Sequence, residues 1–184
     1  MIRRSAILRA LGVLLLLDAL PAHADDCEKL VASLVKLNHA PFRQGTTIDE
    51  ASGPGKIEIA TKKIFTGDAL YELRDDKWKK TPATADSLDE TLRNGRHNFQ
   101  ESCWIERTET LNGEDADVMS THSESANSVA NATVQTDTRY WISRKSNLPL
   151  KAEHTMSIVR SENDASILKY TTLYEYDNVQ APTQ

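Results

Sequence analysis

The pattern of hydrophobic and polar positions divides the chain into three parts. The first holds an almost unbroken run of leucine and other apolar residues, from about Ala6 to Leu17. The second, DDCEKLVASLVKLNHAP, repeats apolar residues at helical spacing until Pro41. Beyond it the spacing becomes two, which is typical of strands with one buried face. The pattern therefore predicts an apolar leader, an amphipathic helix and a mostly β body.

The leader has the organisation of a secretory signal peptide. Arg3, Arg4 and Arg9 precede the densest run of leucines, and the small-residue triplet Ala22-His23-Ala24 follows it. The run is far shorter than the about 20 residues that cross a bilayer. We therefore predict a signal peptide over residues 1–24, cleaved after Ala24, and a single mature domain over residues 25–184.

The β body begins with two alternating segments and a second helix. KIEIATKKIF and ALYELRDDKWKKTP alternate apolar and polar residues, with turn residues at Thr66-Gly67-Asp68 and at Asp75-Asp76-Lys77. In ADSLDETLRNGRH, Ser87 and Glu90 have capping-box spacing, and Asn94-Gly95 predicts the helix end.

From Glu101 onward the pattern is one of hairpins. Asn112-Gly113 is a strong tight-turn signal between two extended segments, whereas the polar stretch Ser123 to Thr136 is predicted to be a long hairpin loop or a frayed edge. The segments RYWISRKSNLPLKAEHTMSI and ILKYTTLYEYDNV supply the last strands. The fold class predicted is α+β, mostly β: a curved antiparallel sheet of about eight strands, an incomplete barrel, wrapped around two helices.

Charge and cysteine content narrow the classes of protein. The formal net charge is −5, and loss of three arginines and one aspartate with the leader makes it −7. An acidic exported protein is not expected to hold nucleic acid or an anionic surface by general electrostatics. Cys27 and Cys103 are the only cysteines. An oxidising compartment predicts a disulfide between them, closing a loop of about 75 residues.

Taken together, these segments resemble the LolA-like superfamily of bacterial periplasmic proteins, which includes the lipoprotein carrier and related lipid-binding proteins. The resemblance spans the mature chain: a helix, strands ending in DDKWKKTP, a short helix, CWIERTETLNGEDADVM, and a closing YTTLYEYDNVQAP strand. Its most specific motif comprises Trp141, Ile142, Asn147, Leu148, Pro149, Leu150 and Lys151. Many members have Gly where this chain has Asn147, and Asn tolerates the left-handed backbone that Gly would adopt.

The resemblance implies a periplasmic, non-enzymatic protein whose concave sheet face accepts an acyl chain or another hydrophobic small molecule. The stretch KKIFTGDALYEL lacks the Arg-Pro with following aromatics that lipoprotein carriers show. We therefore expect a ligand-binding relative rather than the carrier itself, as a monomer. A periplasmic or membrane protein partner is left open.

Strand parity gives the residues expected to line the ligand site. They are Ile57, Ile59, Tyr71, Leu73, Trp78, Val118, Ile142, Leu150, Met156, Ile158, Tyr170 and Tyr174. Aromatic residues at a spacing of two are equally typical of a filled sheet core. The alternative is therefore an interaction or sensor module with a filled core and no lipid, recognising a protein through its edges or the 123–136 segment.

The sequence offers no pattern of catalytic or metal-binding residues. The four histidines outside the leader are scattered, with no metal-ligand spacing, and neither a Gly-x-Ser-x-Gly elbow nor a Gly-rich phosphate loop is present. His154 falls on the same strand parity as Met156, which favours a histidine at a sheet edge or hydrogen-bonded in a mostly apolar interior over a base or ligand. We expect no cofactor, no metal and no enzymatic activity.

Overall fold

A computed structural model describes residues 24–53, 61–97, 100–127, 132–161 and 164–183. Two helices and nine strands are found in this part of the chain. In order they are α1 (Ala24–Asn38), β1 (Phe42–Ser52), β2 (Lys62–Phe65), β3 (Ala69–Arg74), β4 (Lys77–Pro82), α2 (Ala85–His97), β5 (Gln100–Leu111), β6 (Glu114–Asn127), β7 (Ala132–Ser143), β8 (Pro149–Ser161) and β9 (Asp164–Glu175).

The nine strands form one antiparallel sheet in the order β4-β3-β2-β1-β9-β8-β7-β6-β5. Strands β5 to β9 follow one another as hairpins, and β9 returns to pair with β1 over most of its length. Strands β4 and β5 are the two edges, so the curved sheet does not close into a barrel. The predicted fold class, an incomplete antiparallel barrel with two helices, is confirmed.

Helix α1 lies against one face of the sheet. Its apolar stripe includes Leu30, which is buried with Cys103, Met119 and Ile142 of the sheet. The Cys27–Cys103 disulfide, with 5.1 Å between the Cα atoms, joins the first turn of α1 to β5. The predicted bond is confirmed, and it fits an oxidising compartment.

Helix α2 spans the predicted segment ADSLDETLRNGRH, but its capping residues differ from the predicted ones. The backbone N–H of Ser87 donates to Thr84 Oγ1 at 3.3 Å, and the Thr84 N–H donates to Ser87 Oγ at 2.9 Å. The capping pair is therefore Thr84 with Ser87, and the predicted pair of Ser87 with Glu90 is wrong. The helix also continues past Asn94-Gly95 to His97, so the helix end predicted at those two residues is wrong.

Two segments differ from the strand predictions. Strand β1 was missed, because FRQGTTIDEAS is polar and lacks apolar alternation, although its backbone pairs with β9. The predicted loop between Ser123 and Thr136 is wrong: those two residues face each other, and β6 and β7 stay paired out to Asn127 and Ala132. Polar side chains are compatible with these strands because pairing uses the backbone.

The tight turns agree with the residues that predicted them. Asp75 and Asp76 have φ of 48° and 59°, and Asn112 and Gly113 have φ of 54° and 83°. Asn147, with φ of 54°, turns the chain between β7 and β8, and Pro149 begins β8. Asn and Asp tolerate this left-handed backbone through local hydrogen bonding, which is why these positions could be recognised.

The sheet carries apolar clusters on both faces. We name the face against α1 the concave face; it includes Cys103, Met119 and Ile142. A second concave-face cluster lies between the helices and the β1–β3 end, formed by Leu37, Phe42, Phe65 and Ala83 with Leu70, Leu88, Leu148, Tyr174 and Tyr176 packed against it. The opposite, convex face carries Ala116, Val118 and Trp141, with Leu111 and Leu150 beside them.

Candidate functional site

The structure divides the twelve predicted lining residues between the two faces of the sheet. Five lie on the concave face: Ile142, Met156, Ile158, Tyr170 and Tyr174. Five lie on the convex face: Tyr71, Leu73, Trp78, Val118 and Leu150. Ile57 and Ile59 lie outside the described residues. The prediction that all of these residues lie on the concave face is therefore wrong for the five on the convex face. A ligand-binding role for the five on the concave face stays a prediction.

Strand register and a β-bulge explain why some predicted lining residues lie on the convex face. In β6, Met119 packs under α1, so its neighbour Val118 must point to the other face. In β8, Leu150 follows a shift of register beside Trp141 and Ile142, and this bulge turns Leu150 toward Trp141. Strict alternation from Ala152 back to Leu150 therefore gave the wrong face.

His154 lies at the centre of an aromatic group on the concave face. Its ring stacks on Tyr170, with 4.4 Å between centroids and 16° between planes, and the ring of Tyr140 meets it edge-on at 6.0 Å. Thr138 Oγ1 lies 3.1 Å from His154 Nδ1. Burial lowers the pKa of His154 to about 4, so the imidazole is neutral near pH 7. The expectation of a hydrogen-bonded interior histidine agrees with this geometry.

Tyrosines extend this group along the concave face of β9. Tyr170 and Tyr174 lie four residues apart on β9, Tyr176 follows just beyond the strand, and Tyr174 meets Phe42 with 6.4 Å between ring centroids. Burial raises the pKa of the Tyr174 phenol well above its usual value. The Tyr176 O–H donates to the backbone oxygen of Pro149, which ties the chain after β9 to the start of β8. These phenols therefore stay neutral and form an aromatic wall.

The concave face beyond this wall carries apolar side chains that belong to none of the buried clusters. Val134, Met156 and Ile158 are half-buried, and Ile48 is 44% exposed opposite Tyr170. Helix α1 packs against β5, β8 and α2. An apolar surface of this kind, partly open at the edge of a packed core, can receive hydrocarbon because contact removes it from water.

Two of the clefts that the described residues form lie on the convex side of the sheet. The first has a volume of about 270 Å³ and is polar, with Glu106 between Ser120 and Arg139. The Ser120 hydroxyl, and then Arg139, hold the pKa of Glu106 below its usual range. The second, of about 350 Å³, lies over β1 and β2 and includes Ile64 and Trp78.

Sequence reasoning missed the second cleft. Its floor depends on Gly45, in the strand that the alternation did not predict. An isolated glycine in an extended segment was the signal available, since glycine in a strand marks a place where another group approaches the backbone. The sequence-based prediction of the site also omitted Tyr140, whose position beside His154 follows only from the pairing of β7 with β8.

The described residues lack the features of a metal site and of a membrane-spanning helix. They contain no group of three or more side chains that could hold a metal ion. Neither of their helices is long and apolar enough to cross a membrane.

Comparisons with known proteins give weak likenesses to solved structures. No protein-family model and no curated protein sequence matches the chain. The crystal structure of LprF from Mycobacterium bovis is similar, with 12% identity, a TM-score of 0.43, and coverage of 89% of this chain and 97% of that chain. A DUF1329 family protein from Desulfovibrio piger is similar with 7% identity, a TM-score of 0.31, and coverage of 87% and 95%. At these TM-scores neither likeness carries an argument about this chain.

The architecture nevertheless agrees with the earlier resemblance. The expectation of fold, a single unclosed antiparallel sheet curved around helices, is confirmed by the sheet itself.

Proposed function

We propose that the protein binds a hydrophobic ligand, an acyl chain or a small molecule of similar chemistry, on the concave face without catalysis. The observation that carries the proposal is the partly open apolar surface of Ile48, Val134, Met156 and Ile158, next to the aromatic wall. Each fully covered side chain of this size gains about 1.5 to 3 kcal/mol from leaving water. A ligand that covers several of them therefore gains enough to bind in the micromolar range after its ordering costs.

His154 supports this proposal through its neutrality. Its ring lies between two tyrosine rings and is uncharged near pH 7, so the centre of the face carries no buried charge that would repel hydrocarbon. The Nδ1 atom is occupied by Thr138. The ring therefore acts as one more flat surface for an apolar ligand.

Export to the periplasm is part of the proposal. The leader over residues 1–24 and the disulfide between Cys27 and Cys103 both suit an oxidising compartment outside the cytoplasm. N-terminal sequencing of protein from the periplasmic fraction should begin at Asp25. A chain that retains Met1, or remains in the cytoplasmic fraction, would remove this part of the proposal.

The ligand proposal is tested by a matched pair of variants on one strand. Ile158 lies on the concave face, whereas its neighbour Val159 lies on the other face and is 36% exposed. With delipidated protein and a fluorescent fatty acid, Ile158→Glu should weaken binding at least about tenfold, because it places a carboxylate against the chain. Val159→Glu should bind as the unmodified protein does.

Mass spectrometry of the purified protein is the second measurement. Copurifying lipid is expected in the unmodified protein and should be depleted in Ile158→Glu. No uptake of fatty acid together with no copurifying lipid would contradict the proposal and favour the alternative, an interaction module with a filled core.

A further inference from the structure

The convex cleft of about 350 Å³ combines an apolar floor with cations. It is lined by residues from β1, β2, β4 and the end of β9. Ile64 is 7% exposed and Trp78 is half-buried, and Trp78 reaches the cleft from β4 although β3 lies between β4 and β2. A volume of this size falls within the range of about 300 to 1,000 Å³ that small-molecule sites occupy.

Gly45 makes the space. It pairs with Lys62 on one side and Leu173 on the other, and a Cβ built on it would meet nothing within 4 Å. Leu173 is itself 53% exposed beside it. Any larger residue at position 45 would project into the cleft, so the opening depends on the absence of one side chain.

The charges at the cleft favour an anion. Arg43 and Lys62 line it against a single carboxylate, that of Glu175, whereas strand alternation directs the side chain of Lys63, which also borders the cleft, to the concave face. Arg43 is held in place by Glu175 at 3.4 Å and by the backbone oxygens of Asp177 and Asn178 at 3.0 and 2.8 Å. Lys63 is paired with Glu72 at 3.2 Å.

Lys62 remains available. It is exposed, and within the described residues no carboxylate pairs with it. Lys80 adds a further cation on the same face, 5.6 Å from the ring of Tyr71. This local excess of positive charge stands in a chain of formal net charge −5, so it does not follow from composition.

We propose that this cleft binds an anionic amphiphile, with its phosphate or carboxylate at Lys62 and Arg43 and its apolar part on Trp78 and Ile64. A small inorganic anion would use only the cations, and a neutral apolar molecule only the floor. An amphiphile uses both, since an ion pair beside a water-excluding indole is stronger than one in open solvent. The site lies on the opposite face from the proposed acyl-chain surface and does not depend on it.

Isothermal titration with octyl phosphate, kept below its micelle-forming concentration, tests the proposal on the mature full-length chain. Inorganic phosphate and 1-octanol are the matched probes for head and tail alone. Octyl phosphate should bind at least about tenfold more tightly than either, which is the effect of one additional charge-assisted or apolar contact. Equal affinity for inorganic phosphate and octyl phosphate would overturn the role of the apolar floor and with it the proposal.

Variants locate the binding. Gly45→Leu fills the cleft, and Lys62→Gln removes its free cation; each should weaken octyl phosphate binding about tenfold or more. Trp78→Ala is the second floor variant, used if Gly45→Leu does not fold. If the folded variant, Gly45→Leu or Trp78→Ala, binds octyl phosphate with unchanged affinity, the proposal is overturned.

Ile158→Glu, on the concave face, separates this site from the proposed function. It should leave octyl phosphate binding to the cleft intact even where it abolishes fatty acid uptake. Loss of octyl phosphate binding in Ile158→Glu, with Gly45→Leu unaffected, would move the ligand to the concave face and reject the cleft.

Vesicles distinguish a free amphiphile from a membrane headgroup. Sedimentation with vesicles of phosphatidylcholine, with and without one third phosphatidylglycerol, reports binding to a lipid surface. Binding only to the anionic vesicles, reduced by Gly45→Leu, supports the cleft with a membrane headgroup as its source. Octyl phosphate binding without vesicle binding supports it with a free amphiphile as its source.

Discussion

The two faces of the sheet bury apolar side chains by different means. On the concave face, Leu30 of α1 covers Cys103, Met119 and Ile142, and a disulfide fastens the helix there. On the convex face, charged side chains surround Trp141, which is 4% exposed. The Lys151 ammonium lies 4.4 Å from its ring, and the indole N–H donates to Glu109. Ion pairs of Arg107 with Glu109 and of Lys151 with Glu153 extend this charged layer.

The comparison separates two ways of keeping water from a sheet. A helix supplies its own apolar surface, whereas long charged side chains supply only their hydrocarbon stems and keep their charges in solvent. We therefore expect the concave cluster to dominate stability and the convex cluster to add smaller, electrostatic contributions. It also means that burial alone does not identify the face that receives a ligand.

The largest expected effect comes from the disulfide that fastens the concave face. Cys27 and Cys103 are 76 residues apart, and closing a loop of this length restricts the unfolded chain by up to about 4 to 5 kcal/mol. The double variant Cys27→Ala/Cys103→Ala should therefore lose several kcal/mol in urea unfolding. Reductant should destabilise the unmodified protein by a similar amount and leave the double variant unchanged. A loss below about 1 kcal/mol would contradict a stabilisation that comes from restricting the unfolded chain.

The next effect compares one residue from each buried cluster. Leu30→Ala leaves a cavity between α1 and the sheet and should cost about 2 to 5 kcal/mol. Val118→Ala removes two methylene equivalents from the convex cluster and should cost about 1 to 2 kcal/mol. Urea unfolding of both variants measures the difference in their free energies of unfolding, provided that the dependence of this free energy on urea concentration is unchanged. Equal losses would mean that the convex cluster is as much a part of the core as the helix-covered one.

The difference between the faces also explains what the sequence could predict. Turns at Asp75-Asp76, Asn112-Gly113 and Asn147 were recognisable because their left-handed backbone favours particular residues. The disulfide followed from two cysteines and an oxidising compartment. These are local or compositional constraints, and they do not require knowledge of which face is covered.

The residues of the ligand site were harder to predict, because their prediction requires knowing which face of the sheet the helices cover. Val118 and Met119 are adjacent and both fully buried, so apolar character in β6 does not tell the concave face from the convex one. Leu150 was displaced by a bulge that no sequence pattern marks. By contrast, Tyr170 and Tyr174 share a face as expected, because β9 pairs with β1 between them without a break in register.

A pH titration probes the centre of the concave face. The pKa of His154 is lowered by burial to about 4 from an unfolded value of 6.5, so between these values the unfolded chain binds a proton that the folded chain does not. Stability should therefore fall by about 3 kcal/mol as the pH is lowered from 6.5 to 4. His154→Gln should flatten this part of the profile in urea unfolding.

The convex face should respond in a different pH range. The pKa of Glu106 is lowered by the Ser120 hydroxyl and by Arg139, so its contribution is present above about 4.5 and is lost as the pH falls through its lowered pKa. The His154 prediction would be contradicted if the free energy of unfolding of His154→Gln depended on pH between 6.5 and 4.5 as steeply as that of the unmodified protein. Other groups would then cause the loss of stability.

The smallest expected effect tests the charged layer over the convex cluster. Lys151→Met keeps most of the hydrocarbon stem over Trp141 and removes the charge 4.4 Å from the ring. The lost cation–π contact and the ion pair to Glu153 should together cost about 1 kcal/mol in urea unfolding. Lys80→Met, whose ammonium lies 5.6 Å from Tyr71, is the matched control and should change stability less because that ring is more open to solvent. A gain of stability in Lys151→Met would show that the stem alone covers the indole, and the two faces would then differ only in where their hydrocarbon comes from.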